Sequence, residues 1–417
     1  MKAIALGLTA SLATLLGAGA ASKVGKQPQV TFSKDVAPIL VKNCQGCHRP
    51  GETAPMSLLT YQEARPWAKA IREAVVLKRM PPWYADAHFG KFSNDRSLSQ
   101  ADIDTLVAWA DNGAVEGDPK QTPKPAQFVE GWNIGTPDLV LEMPKEYQVP
   151  ATGTIKYEYF TIPTEFTEDK WVQMVEVRPG NRALVHHVIA FVREPKKPGE
   201  VRAKNEDREF LVGFAPGSLP EIMAPGRAKL IKAGSEIVFQ VHYTANGTAG
   251  VDRSKVGLIF AKERPRERVI TLPAGNNKFV IPAGAANHEV ESKFTLRSDA
   301  TLTTLFPHMH LRGKDFEYRV AFPNGEKRTL LKVPNYSFSW QLSYDLAEPI
   351  HLPKGSIIEC TAHFDNSVNN KYNPDPTKEV RHGDQSWEEM MIGFFNIAFD
   401  ANADPKTLFS EKKTSSD

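Results

Sequence analysis

The sequence has few cysteines, no excess of charge of either sign and no long apolar segment beyond its first residues. Only three cysteines occur in 417 residues, so we do not expect a fold held by several disulfides. Lys and Arg number 51 against 49 Asp and Glu, and this balance gives no electrostatic argument for a nucleic-acid partner. After residue 22, no apolar run reaches the roughly 18 residues that a membrane-spanning helix needs, so we expect no integral membrane segment there.

The N-terminal segment is typical of a signal peptide. Residues 1–22 carry one charge, on Lys2, followed by a run rich in Ala, Leu, Gly and Thr that contains Ala-Gly-Ala at 18–20. A signal peptidase accepts such small residues, so we expect an exported protein from which this segment is removed. An uncleaved anchor is the alternative, because residues 3–22 are uncharged and nearly long enough to span a membrane.

Two of the three cysteines lie in the motif Cys44-Gln45-Gly46-Cys47-His48. Cys-x-x-Cys-His attaches a c-type haem through two thioether bonds and an axial imidazole. Capping signals at Ser33, Thr60 and Ser99 predict three helices around this motif. Residues 28–118 therefore resemble a class I cytochrome c, which implies an all-α domain with haem c in a bacterial periplasmic or secreted protein.

The sixth ligand of the haem iron has three candidates. Met80 is followed by two prolines and a tryptophan, and this stiff segment resembles the Met-Pro ligand loop of cytochromes c. Met56 and His88 are rivals, because the chain is long enough for either side chain to reach the iron. We favour Met80 and keep the other two open.

The rest of the chain has the pattern of β-sandwiches. Residues 119–130 are rich in proline and have no apolar periodicity, so we interpret them as a linker. Beyond them, short alternating apolar runs are separated by Pro and Gly. The length suits two sandwiches, at 131–275 and 276–411, with a break within the charged segment 264–287. The predicted fold class is multidomain, an all-α class I cytochrome c domain followed by two all-β, jelly-roll-like sandwiches.

Five histidines in the β region have spacings that suit metal ligands. His308 and His310 are two apart, so in a strand both side chains lie on one face. His186 and His187 are adjacent and can bind one ion only if their strand ends or bends there, and His242 lies in a further apolar run. Imidazole suits copper, zinc, iron and nickel, so these histidines alone do not identify the metal.

The order of these motifs resembles that of the copper type II ascorbate-dependent monooxygenases, the group of peptidylglycine alpha-hydroxylating monooxygenase and dopamine beta-monooxygenase. The resemblance covers roughly residues 130 to 400 and depends on His-His, then Val-His-Tyr, then His-Met-His, then Glu388-Glu389-Met390. It implies one copper held by His186, His187 and His242. A second copper would be held by His308, His310 and Met390, with Met391 as the neighbour that could be mistaken for the ligand.

The sequence also departs from this family. Where the peptide enzyme is expected to hold its substrate carboxylate with an arginine, this chain has Phe306, and where the family has a tyrosine it has Phe394. Arg312, two residues after His310, is the only cationic residue close to Phe306 in the sequence. Because phenylalanine cannot pair with a carboxylate, we expect a small neutral or apolar organic substrate. Cys360 has no partner once the haem motif uses the other two cysteines.

The resemblances together imply an exported haem- and copper-dependent monooxygenase. It would hydroxylate a C–H bond with O2, and electrons would pass through haem c and the first copper to the second copper. The external one-electron donor would be ascorbate or a periplasmic redox protein. The alternative is a non-catalytic copper-binding and electron-transfer protein with haem c, which the loss of the two substrate-side residues favours.

Overall fold

The computed structural model describes residues 29–52, 54–124, 126–128, 131–196 and 208–409. The predicted signal peptide, residues 1–22, lies outside the described residues, as do parts of the predicted linker. Within the described ranges, every helix is too short or too polar to cross a membrane.

The N-terminal part contains short helices around a small apolar core. Thr60 and Glu63 form a reciprocal capping box at the start of one helix, and Ser99 caps another through its hydroxyl. The core of this part includes Leu40, Leu106 and Trp109. The α-helices are α1 (Ala37–Asn43), α2 (Tyr61–Ala64), α3 (Ala68–Val76) and α4 (Gln100–Asp111); Phe32–Val36 is a π-helix, and Arg65–Trp67, Pro119–Gln121 and Pro405–Leu408 are 3-10 turns.

The predicted fold class is wrong, because the described residues between 29 and 118 do not form an all-α cytochrome c domain. Of the residues that the structure describes, 38% are in strands and 13% in helices, and the longest helix among them, α4, has 12 residues. Residues 77–99 contain no helix. Instead, Trp83 and Phe92 pack against Tyr344, and Phe92 forms a β-bridge with Leu346. The aromatic side chains between α3 and α4 therefore join a core built from strands, which local capping signals cannot reveal.

The β part consists of layered sheets, and its longest sheet has nine strands. This sheet has the order β1-β11-β4-β8-β12-β21-β15-β18, with β7 beside β4. The strands are β1 (Leu139–Glu142), β2 (Tyr147–Val149), β3 (Glu158–Pro163), β4 (Lys170–Arg178), β5 (Val185–Arg193), β6 (Arg208–Phe214), β7 (Glu221–Ile222), β8 (Arg227–Ile231), β9 (Glu236–Tyr243), β10 (Gly250–Asp252), β11 (Lys255–Phe260), β12 (Glu267–Asn276), β13 (Val280–Ile281), β14 (His288–Thr295), β15 (Ala300–His308), β16 (Gly313–Ala321), β17 (Lys327–Val333), β18 (Tyr344–Leu352), β19 (Ile357–Phe364), β20 (Val380–Arg381) and β21 (Met391–Asp400).

Two four-stranded sheets complete the layers. The sheet β3-β9-β5-β6 shares one apolar core with the first half of the long sheet, and β14-β19-β16-β17 shares a second core with the other half. We call the sheet β3-β9-β5-β6 together with β1, β11, β4, β7 and β8 of the long sheet the first half. The second half is the sheet β14-β19-β16-β17 together with β12, β21, β15 and β18. The two halves are continuous, because β8 pairs with β12 in parallel where Arg227 and Ala228 face Glu267 and Arg268. The long sheet therefore crosses the segment in which the sequence predicts a break.

Candidate metal centre

Three histidines of the first half converge through an irregularity in β5. The register of β5 against β9 shifts between Val185 and His187, so two residues of β5 face one residue of β9 at this point. Such a β-bulge turns the strand locally and changes the direction of the extra side chain. It brings His186 to the same side as His187 and its cross-strand partner His242.

The geometry of this first histidine set suits a bound metal ion. Its ring centroids are 5.0 to 5.7 Å apart, and the ligand nitrogens of His186, His187 and His242 all lie within 4.8 Å of one another. The Nδ1 atom of each ring is buried, and none has a hydrogen-bond partner among the described residues. Buried nitrogens without partners are costly unless a ligand satisfies them. The donor set therefore fits a metal ion.

Burial keeps these imidazoles neutral, the form that binds metals. It lowers the pKa of His186 to about 4 and that of His242 to about 3, and nearby imidazoles add to both shifts. The pKa of His187 lies well below its ordinary value for the same two reasons. Metal binding therefore needs no deprotonation of the first set at neutral pH.

A second histidine set lies at the end of β15. The rings of His308 and His310 are 5.2 Å apart and perpendicular. His308 Nδ1 is 2.6 Å from Gln341 Oε1, and His310 Nδ1 is 3.3 Å from the carbonyl oxygen of Glu388. Because both oxygens accept hydrogen bonds, each Nδ1 donates and each Nε2 is left for a metal. Burial lowers the pKa of His308 to about 4 and that of His310 well below its ordinary value.

Strand pairing separates the two adjacent methionines near this set. Phe306 faces Phe394 and His308 faces Ile392 across the β15–β21 ladder. Since alternate residues of a strand share a face, continuing this register puts Met390 on the histidine face. Met391 is fully buried in the apolar core of the second half instead. The position of Met390 suits a ligand, and that of Met391 suits packing.

A buried carboxylate joins the segment before β21 to the second set. Glu389 is fully buried, and its two oxygens accept hydrogen bonds from the backbone N–H groups of His310, at 2.8 Å, and Arg312, at 2.6 Å. These bonds hold the residue next to Met390 against the end of the His308–His310 segment. Thus the Glu-Met sequence is joined to the histidine pair through the backbone as well as through the face that they share.

The two histidine sets are neighbours. The Phe338 ring stacks on His186 with centroids 4.7 Å apart and meets His310 at 5.9 Å. One aromatic side chain therefore contacts both sets. Tyr157 is the other aromatic residue at the first set, with its ring 5.1 Å from His187 and 4.8 Å from His242.

A cavity of about 310 Å³ reaches both sets from between the two halves. His187 and His308 line it, and so do three phenylalanines whose ring centroids are 5.7 to 6.3 Å apart, Phe210, Phe306 and Phe394. Its polar lining includes Asn396, whose amide donates to Glu221 at 2.8 Å and accepts from Thr271 at 2.6 Å. Next to His308 the lining includes both Gln341, which hydrogen-bonds this ring, and Phe394, whose ring centroid lies 6.1 Å away.

Arg312 does not serve this cavity. It is only 2% exposed, and its guanidinium donates to Asn366 at 2.8 Å and to the carbonyl oxygen of Trp387 at 2.9 Å. Arg312 therefore does not replace the arginine that would bind a substrate carboxylate, because its guanidinium is already bonded elsewhere.

The Cys-x-x-Cys-His motif lies in a turn at the end of α1. Cys44 follows α1 directly, and its carbonyl oxygen accepts from the N–H groups of Cys47 and His48 at 3.1 and 2.9 Å. A Cβ added at Gly46 would meet no atom within 4 Å, so there is open space beside the turn. His48 Nδ1 is buried and has no hydrogen-bond partner among the described residues. This donor set fits a covalently attached haem.

Charged residues hold this motif against the first half. Glu52 pairs with Arg49 at 3.1 Å and with Arg182 of the first half at 3.0 Å. Burial raises the pKa of the Cys47 thiol, and the nearby guanidinium groups of Arg96, Arg182 and Arg49 oppose this shift. Arg182 precedes His186 by four residues. The Glu52–Arg182 ion pair therefore connects the segment that follows the motif to the segment that leads to the first histidine set.

The three candidates for the sixth haem ligand have different surroundings. Met56 packs against the same apolar core as Cys44 and lies near His48, where its backbone opposes the lowering of the His48 pKa by burial. Met80 follows α3 and is half-buried. His88 is 87% exposed, and its Nδ1 lies 2.6 Å from Asp86. The choice of Met80 stays a prediction, and Met56 is the rival that lies beside the motif.

Sequence reasoning missed three residues of this site. Tyr157, Phe338 and Gln341 belong to no motif and to no metal-ligand spacing. A phenylalanine or a glutamine in a loop has no local signal that would distinguish it from any other. Their contacts arise from pairing between distant parts of the chain.

Comparisons with known proteins assign no family. No protein-family model matches the chain, and no curated protein matches it. Solved structures to which the chain is weakly similar include the major capsid protein P2 of bacteriophage PM2, at 9% identity over 64% of this chain and 100% of that one, with a TM-score of 0.27. Another is infectious bursal disease virus, Gx strain, at 10% identity over 68% and 77%, with a TM-score of 0.19. Likenesses at these TM-scores carry no argument about fold or function.

Proposed function

We propose that the protein is a haem- and copper-dependent monooxygenase that hydroxylates a C–H bond of a small neutral or apolar molecule. The reaction combines R–H, O2, two electrons and two protons to give R–OH and water. Ascorbate or a periplasmic redox protein would supply the electrons, one at a time. The observation that carries the proposal is that two sets of buried, neutral histidines border one cavity, whose lining includes Phe210, Phe306 and Phe394.

The ligand residues support copper in both places. His186, His187 and His242 would hold one copper, and His308, His310 and Met390 the other. When bound, copper would supply one-electron redox chemistry at each set, and a thioether favours the reduced ion. Gln341 and the Glu388 carbonyl would orient the two rings of the second set.

The cavity supports a compact substrate without charge. Phe210, Phe306 and Phe394 offer apolar surface next to His308, and Arg312 is occupied elsewhere. Pockets that bind small molecules are generally apolar with a few polar groups that orient the ligand. Asn396 and its neighbours would supply those polar groups.

The haem motif would deliver electrons to the first set. Cys44 and Cys47 would bind haem c covalently, and His48 together with Met80, Met56 or His88 would bind its iron. The Glu52–Arg182 pair keeps this motif beside the loop that leads to His186. Such a reaction suits an exported bacterial protein, in the periplasm or secreted.

Oxygen consumption tests the proposal. The copper-loaded holoprotein should consume O2 in the presence of a reductant and one member of a panel of uncharged small molecules, with a hydroxylated product equal to the O2 used. His308→Ala should abolish turnover, whereas His363→Ala should not, because His363 lies outside both sets and pairs with Asp315. Binding of zinc at a single closed site would contradict the proposal. Reduction of both coppers without O2 consumption would favour the non-catalytic electron-transfer protein.

A further inference from the structure

One side chain of the second half lies between the two histidine sets. Phe338 belongs to the loop 334–343, between β17 and β18. Its ring is nearly parallel to that of His186, at 20°, with centroids 4.7 Å apart. It lies 6.3 Å from His242 and 5.9 Å from His310. Phe338 thus contacts two rings of the first set and one of the second.

The loop that carries Phe338 is attached to the second set on both sides of this residue. The Tyr336 hydroxyl accepts from Met309 N–H at 3.0 Å and donates to Met309 carbonyl oxygen at 2.8 Å. Gln341 contacts His308 Nδ1 through its oxygen and donates through Nε2 to the carbonyl oxygen of Phe338 at 3.3 Å. Four hydrogen bonds therefore place the ring, so its position between the sets is not that of a loosely held surface residue.

The cavity approaches the sets from elsewhere. His187 and His308 line it, together with Gln341 and Leu342, whereas Phe338 does not. The rings that Phe338 covers are His186, His242 and His310. The cavity therefore borders the two sets at His187 and His308, whereas the apolar side chain of Phe338 covers the remaining three rings.

We propose that Phe338 keeps water away from His186, His242 and His310, on the side of the two metal sites that the cavity does not reach. The proposal rests on the proposed function. A water-filled space would let partly reduced oxygen leave as hydrogen peroxide, which uses one O2, two electrons and two protons without forming product. Exclusion of water from a redox site prevents such side reactions. An apolar side chain of similar volume should serve equally well, because the role is exclusion and not a specific aromatic contact.

The test compares three holoproteins, the wild type, Phe338→Ala and Phe338→Leu. Pulsed electron paramagnetic resonance of the Cu(II) forms in D2O measures the deuterons close to copper. Phe338→Ala should retain two coppers, increase the deuteron signal and raise the ratio of peroxide released to O2 consumed several-fold. Phe338→Leu should restore both values. Phe322→Ala is the matched control, since Phe322 lies in the same half and its ring contacts Arg328.

The outcomes separate the two proposals. An unchanged deuteron signal in Phe338→Ala, or equal signals in the Ala and Leu variants, would overturn the role of Phe338. If the wild type binds two coppers but consumes no O2, the proposed oxygenase function fails, while the deuteron signal still decides the role of Phe338. If the wild type binds fewer than two coppers, both proposals are wrong.

Discussion

At the scale of single residues, neighbours in sequence have opposite environments. Met390 immediately precedes β21 and is half-buried, at a position that continues the face of the His308–Ile392 pair, whereas Met391 lies in the core of the second half. The same alternation puts Phe306 and Phe394 opposite each other beside the cavity. The surroundings of each side chain depend on the face of the strand to which it points, and successive residues point to opposite faces.

The adjacent methionines provide a matched pair of variants. Met390→Ala should weaken Cu(I) binding at the second set and lower the free energy of unfolding by less than Met391→Ala does, because Met390 is only half-buried. Met391→Ala should leave Cu(I) affinity largely intact and lower the free energy of unfolding by ~2–5 kcal/mol, because it opens a cavity in the core. Competition titrations and denaturant unfolding of the metal-free proteins measure both. The reverse pattern would make Met391 the ligand.

Gln341 controls which nitrogen of His308 is free. Gln341→Leu removes the acceptor of the Nδ1 hydrogen bond, so the ring is no longer held with Nε2 toward the metal. Losing such a partner typically costs about 10- to 100-fold in metal affinity. We expect that loss for the second copper only, with the first set unaffected, in site-resolved copper titrations. Equal weakening of both sites would show general damage to the fold.

At the scale of elements, the bulge in β5 creates the first set. A regular strand would send His186 and His187 to opposite faces, and the sequence alone allows either a bend or a strand end there. The structure has a bulge, with His187 facing His242 and Val185 facing Tyr243. Which irregularity occurs depends on the partner strand, and the histidine pair by itself does not determine it.

Deleting His186 tests the bulge. Without this residue, Val185 and His187 become consecutive and can still face Tyr243 and His242, now in a regular ladder. We expect a folded protein that has lost the first copper site and retains the second. His186→Ala is the control that preserves the chain length and the bulge. Thermal unfolding and copper stoichiometry check the result, and a protein that fails to fold would mean that the ladder itself requires the extra residue.

The helices show how far local signals extend. The capping residues Thr60 and Ser99 correctly mark where α2 and α4 begin. The prediction that Ser33 caps a helix is wrong, because the first helical segment begins at Phe32 and Ser33 lies buried within it. The inference from these helices to an all-α cytochrome c domain is wrong, because residues 77–99 use Trp83 and Phe92 to join the core of the second half. Capping acts within one helical turn, whereas the choice of packing partner depends on surfaces hundreds of residues away.

At the scale of the whole molecule, the two halves are joined by strand pairing and ion pairs. Besides the β8–β12 pairing, Arg268 of β12 pairs with Glu209 of β6 at 2.6 Å. Arg227 of β8 pairs with Glu267 of β12 at 2.7 Å. These contacts lie next to the cavity that the halves share, so the relative position of the histidine sets depends on them.

The junction predicts cooperative unfolding. The two halves of the wild type should unfold in a single transition. Arg268→Ala leaves Glu209 without its partner; this costs roughly 3 to 5 kcal/mol for a fully buried pair, and we expect less here because the Glu209 side chain is 26% exposed. Calorimetry and denaturant unfolding measure the change, with Arg264→Ala, an exposed residue bonded to Asn402, as control. Two separate transitions in the wild type would contradict this prediction.

The sequence by itself determined the chemistry that the site can offer. The five histidines and the haem motif are readable from residue type and spacing, because ligand chemistry belongs to the side chain and short spacings define a shared face. The choice of Met390 over Met391 came from the resemblance to the copper monooxygenases. Only the tertiary structure decided that β5 has a bulge, that Gln341 orients His308 and that Phe338 lies between the sets. It also decided that residues 77–99 pack on strands and that the sheet is continuous between the halves. These features depend on which distant surfaces bury one another, and no local pattern specifies that choice.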